Sequence, residues 1–179
     1  MKFVAFLRNV NLGQPGSPTR AQLESAFLQA GASEAASFMS NGTLVFSVPR
    51  SRLARGTAKR ACEILSHVCG LKEPVFVSGL THLAQLVAED PFAQFAASAI
   101  SERCMSFFEP KAAARLRPPL ESERKDCLIF RIRDGEALSI TRTIGGKTGY
   151  PTPVLEKTLN SPVTTRSWTT IVRLVKRHA

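Results

Sequence analysis

The apolar pattern changes period from one stretch of the chain to the next. Residues 3–7 form an unbroken apolar run, too short for a helix core and of the right length for a strand buried on both faces. The run breaks into Arg8, Asn9, Asn11 and Gly13, then Pro15, Gly16 and Pro18, a polar loop at the end of a rigid strand. Thr19 opens a helix and Gln22 completes a capping box, with Leu23, Ala26, Phe27 and Ala30 on one face and Gly31 as a stop. Phe38-Met39 and residues 43–48 read as strands around Ser40-Asn41-Gly42, since Asn-Gly is a strong hairpin signal. Residues 51–69 form a second helix with Leu53, Ala61, Ile64, Leu65 and Val68 inward, closed by Gly70. Val75-Phe76-Val77 is a further short strand. The order over residues 1–79 is βαββαβ.

Residues 80–179 repeat that order. A helical stretch at 81–88 leads through Asp90-Pro91-Phe92 into a poorly patterned segment at 93–102. Residues 104–108 read as a strand, 110–116 as a short helix, and 128–132 and 137–141 as strands joined at Asp134-Gly135. Thr152 caps a helix with Pro153 at its first position, residues 162–165 form a last strand, and Ser167 caps a closing helix to about Arg177. The pattern predicts an α+β fold of two ferredoxin-like βαββαβ units docked together, at 1–79 and 80–179, with an extra C-terminal helix. The alternative is one larger α+β sheet. The halves share this order and no residue-level repeat.

Charge changes the picture more than composition does. The chain carries a net charge of +10, +5 in each half, so the excess belongs to the folded body and is not a basic tail. Such a field favours polyanions or phosphorylated ligands, and solubility alone is the competing explanation. No apolar run reaches the roughly 18 residues of a membrane span. The opening run is also interrupted too early for a signal peptide, so the chain reads as cytoplasmic and not membrane-bound. Cys62, Cys69, Cys104 and Cys127 contain no C-x-x-C pair and the histidines are scattered, which argues against a metal site; no cofactor is expected.

The candidate chemistry is basic and amidic. Gly145-Gly146-Lys147-Thr148 is not a Walker A motif, because position 141, which that motif requires to be glycine, is Thr141. Glycine amides beside Lys147 can still form an anion-binding nest, the competing reading being a flexible loop. Arg8 can act as an anion clamp or as a structural salt bridge, and Asn9 and Asn11 as ligand contacts or as loop fasteners. Two basic helix faces, Arg52/Arg55/Lys59 and Arg173/Lys176/Arg177, can track phosphates or stand as solvated faces. The second set, in a last helical turn, also offsets the helix dipole. No paired carboxylates and no Ser/His/Asp or Cys/His order stand out, so catalysis is the minority reading.

Four stretches carry a resemblance. Val-Ala-Phe-Leu-Arg-Asn-Val-Asn-Leu-Gly at 4–13, Met-Ser-Asn-Gly-Thr-Leu-Val-Phe-Ser at 39–47, Asp90-Pro91-Phe92, and Thr-Thr-Arg-Ser-Trp-Thr-Thr-Ile-Val-Arg-Leu at 164–174 resemble the bacterial family catalogued as domain of unknown function 1697. The resemblance spans nearly the whole chain. It implies a compact α+β protein of ferredoxin-like parts and brings no established activity. Arg8, Asn11 and Gly13 match the family's opening, whereas Asn9 and Gln14 stand where members carry glycine. The members' Ser-Lys before the penultimate helix is here Lys147-Thr148, displaced by two positions.

Two functions fit. The first is a non-catalytic binding protein for a phosphate-bearing partner, RNA or DNA, contacted by Arg8, Lys147, Arg166 and the basic helix faces. The second is a small-molecule or nucleotide-binding enzyme with a site between the two units, built from Arg8, Asn11, Lys147 and Thr148. An oligomeric scaffold is a third, and the sequence fixes no oligomeric state.

Overall fold

The computed structural model describes residues 1–179, apart from the side chains of Ala114 and Arg115. The fold is mixed α+β, and the chain divides into two compact units, Met1–Ala84 with His178–Ala179, and Gln85–Arg177.

The first unit contains β1 (Lys2–Leu7), α1 (Arg20–Gln29), β2 (Glu34–Phe38), β3 (Thr43–Ser47), α2 (Ala54–Cys69) and β4 (Val75–Gly79). Its strands lie in the order β2-β3-β1-β4, every pair antiparallel. The apolar opening run thus becomes a central strand, which explains why its side chains are buried without alternation. Leu7, Leu23, Phe27, Leu44, Phe46 and Leu65 join the sheet to α1 and α2 in one apolar core. The capping box is present in full: Thr19 Oγ1 accepts from the Gln22 amide at 3.2 Å, and Gln22 Oε1 accepts from the Thr19 amide at 2.8 Å. Arg60, from α2, donates through Nε and Nη2 to the carbonyl of Ala30 at the end of α1.

The boundary between the units falls inside α3 (Leu80–Glu89). The second unit continues through β5 (Glu102–Phe107), β6 (Leu120–Glu121), β7 (Cys127–Arg133), β8 (Glu136–Thr141), β9 (Thr143–Ile144), β10 (Lys147–Thr148), α4 (Pro151–Leu159), β11 (Thr164–Ser167) and α5 (Trp168–His178). Its main sheet has the order β11-β5-β8-β7-β6, and β9 with β10 makes a separate two-stranded hairpin. A bulge in β7 between Ile129 and Arg131 leaves Phe130 out of the ladder. Its ring packs against Phe92 and Phe95, and Phe92 packs in turn on Trp168 at 5.0 Å.

Several elements depart from the sequence reading. β2 begins at Glu34, four residues before the expected Phe38, because pairing with β3 makes strand of Glu-Ala-Ala-Ser, a poor strand sequence by itself. Phe38 pairs with Thr43, so the turn holds four residues, with Met39 and Gly42 in left-handed conformation. A Cβ on Gly42 would lie 2.7 Å from Cβ of Val10. α4 starts at Pro151 with Tyr150 as its cap, and the expected cap Thr152 instead bonds Thr165 Oγ1 at 2.7 Å. Among the described residues no helix is long and apolar enough to cross a membrane.

Candidate functional site

The polar loop after β1 is fastened internally. Arg8 Nη1 pairs with Glu73 Oε2 at 2.7 Å, while Asn9 Nδ2 donates to Glu73 Oε1 at 3.1 Å, so both oxygens of one carboxylate are held. Asn9 has a positive φ of 51°, a conformation asparagine tolerates where most side chains do not. The Asn11 amide donates to Ser17 Oγ and its carbonyl accepts from Gln14 N. Of the loop residues singled out from the sequence, Arg8 and Asn9 meet on Glu73, and Asn11 serves the turn.

Lys147 and Thr148 lie in the second unit. Gly145 and Gly146 both have positive φ, 58° and 72°, and form the two-residue turn of the β9–β10 hairpin. They make a tight turn where the alternative to a nest had been a flexible loop. Thr148 Oγ1 bonds Thr143 Oγ1 at 2.8 Å, and Lys147 is exposed. Arg166 is buried on β11, its Nη1 donating to Thr164 Oγ1 at 2.8 Å and to the Thr165 carbonyl at 2.9 Å. Burial pushes its guanidinium down to about 10, against an opposing contribution from Tyr150, so it stays charged at neutral pH.

The two basic helix faces differ in electrostatic setting. Arg52 lies in the single helical turn Ser51–Leu53 that leads into α2, and Arg55 and Lys59 follow in its first two turns, all exposed. α2 has no acidic residue in its first turn and no side-chain cap at Leu53. Its positive dipole end therefore sits beside added cations, an arrangement that costs stability where an acid would supply it. Among the described residues none of these three cations makes an ion pair. Arg173, Lys176 and Arg177 are exposed at the other kind of helix end, toward the C-terminus of α5, where cations offset the dipole. Trp168, at the start of α5, is buried against Phe92 as a core anchor.

Arg103 was not legible as a site residue. It stands one residue ahead of the expected strand 104–108, and nothing local marks it. In the structure it belongs to β5 and lines a cavity of about 380 Å³ together with Ser101, Glu102, Ser167, Trp168 and Thr169. Among the described residues no group of three His, Cys, Asp or Glu side chains is placed to hold a metal ion.

A family model described as protein of unknown function (DUF1697) matches residues 1–137. No curated protein matches. Among solved structures, the chain is similar to the conserved bacterial protein SP0830 from Streptococcus pneumoniae, with a TM-score of 0.58 at 13% identity, over 98% of this chain and 97% of that one. At that identity the likeness is one of fold.

Proposed function

We propose that this chain, which belongs to the DUF1697 family of proteins of unknown function, is a non-catalytic binding protein for a phosphate-bearing polymer, RNA or DNA. The supporting observation is the start of α2: Arg52, Arg55 and Lys59 are exposed, lack ion pairs among the described residues, and stand at a helix end whose dipole they oppose. A polyanion on that face answers both the dipole and the cations. Arg173, Lys176 and Arg177 are secondary contacts in this reading, because their helix already accounts for them. Phosphate contacts position a polymer without reading its sequence, so low sequence preference goes with it.

The small-molecule reading built on Arg8, Asn11, Lys147 and Thr148 draws less support. Arg8 and Asn9 are engaged with Glu73, and Thr148 with Thr143. Each unit is read as ferredoxin-like. In favour are the orders β2-β3-β1-β4 and β11-β5-β8-β7, which place first, second, third and fourth long strands alike in both sheets. In the second unit the segment after β5 holds a 3₁₀ turn, Pro110–Arg115, where the first unit has a full α-helix.

Retention on heparin and on a random single-stranded oligonucleotide across a salt series tests the reading. Wild type is expected to bind at low salt and release as salt rises. The Arg52/Arg55/Lys59→Ala variant should show a log–log salt slope smaller by about 2–3, since each phosphate contact contributes about 0.7–0.9. The Arg173/Lys176/Arg177→Ala variant should change it less. Absence of retention at low salt, or an unchanged slope in the α2 variant, would remove the proposal.

A further inference from the structure

The cavity beside β5 is accounted for neither by the α2 face nor by the opening loop. Its volume of about 380 Å³ falls in the range of roughly 300–1,000 Å³ over which proteins hold small molecules. Arg103 is only partly exposed, and among the described residues its side chain makes no hydrogen bond or ion pair; its Nε is shut from solvent without an acceptor. A buried donor left without an acceptor is costly, and an anionic oxygen beside it removes that cost. Independently, Ser167, Trp168 and Thr169 bring the start of the 11-residue α5 to the same cavity. Ser167 Oγ accepts from the Thr170 amide at 3.3 Å, and the positive end of the helix dipole adds to the guanidinium. Ser101 contributes a hydroxyl, bonded to Thr143 Oγ1 at 2.9 Å.

Glu102 narrows the class of ligand. It is among the residues around the cavity, and its carboxylate, whose Oε2 accepts from Cys104 Sγ at 3.9 Å, leaves a negative charge nearby that disfavours a second anionic group and favours a hydroxyl or an amine. We propose that this cavity binds a small phosphomonoester, with the phosphate against Arg103 and the first turn of α5 and the hydroxyl- or amine-bearing remainder toward Glu102. This site is separate from the polymer-binding face of α2 and stands whether or not that face binds.

Calorimetric titration of the full chain with inorganic phosphate, ribose 5-phosphate and adenosine 5′-monophosphate tests it. Wild type is expected to bind at least one ester about tenfold more tightly than inorganic phosphate, and Arg103→Gln to weaken that binding about tenfold or more, the scale of a charge-assisted hydrogen bond. Thr169→Glu keeps the test decisive if Arg103→Gln fails to fold. It places a carboxylate in the first turn of α5, where helices favour one, so the melting temperature should hold while the anion is lost. The Arg52/Arg55/Lys59→Ala variant should bind the ester as wild type does. No heat with any of the three probes, equal binding of phosphate and esters, or unchanged binding by Thr169→Glu would overturn the proposal.

Discussion

Burial raises the thiols of Cys62 and Cys104 from the ordinary 9.0 to about 12, and that of Cys127 to about 11. In each case removal from water is the leading cause, with the neighbouring carboxylates Glu63, Glu102 and Asp126 adding to it. Between about pH 9 and about pH 12 the unfolded chain gives up these protons while the native chain keeps them. The native state then binds more protons, so stability falls as pH rises through that window and is unaffected by these groups below it. Urea midpoints measured from pH 8 upward should show the decline, and Cys62→Ala/Cys104→Ala should flatten part of it; an unchanged slope in that variant would assign the decline to other groups. The sequence shows only that these cysteines form no C-x-x-C pair. It could not show why Gly149 is glycine: a Cβ there would strike the carbonyl oxygen of Asp126, a contact made by a segment more than twenty residues away.

Elements whose signals are local were legible. The capping box at Thr19, the hairpin at Asp134-Gly135 and the Ser167 cap of α5 each place their information within four residues. β2 and β6 were not, because Glu-Ala-Ala-Ser and Leu-Glu become strand only by pairing with β3 and β7. The same limit hid Arg60. Its neighbour Lys59 draws the eye on a basic face, yet it is Arg60 that crosses to the carbonyl end of α1. Arg60→Ala is expected to cost about 1–2 kcal/mol through the lost charged hydrogen bonds. Lys59→Ala should stay within about 0.5 kcal/mol, as exposed substitutions do. Paired denaturation curves for the two variants check this, and equal midpoints would remove the assignment of Arg60 as a clasp on α1.

Across the whole chain, the mixed α+β character could be read, but the short strands β6, β9 and β10 could not, since two residues carry no hydrophobic period of their own. Net charge was legible too; which cations oppose their own helix was not, because that depends on where α2 begins. One further consequence follows from how the aromatic residues are distributed. The single tryptophan and single tyrosine, Trp168 and Tyr150, both fall in Gln85–Arg177. Met1–Ala84 contains neither tryptophan nor tyrosine, so indole and phenol emission carry no direct signal from it. A protein that looks intact by its fluorescence can have lost an entire sheet. Gly42→Ala, which forces a side chain into a left-handed position against Val10, should expose this. Its circular-dichroism transition should begin at a lower temperature than its emission transition, and superimposable curves would mean instead that both units melt as one.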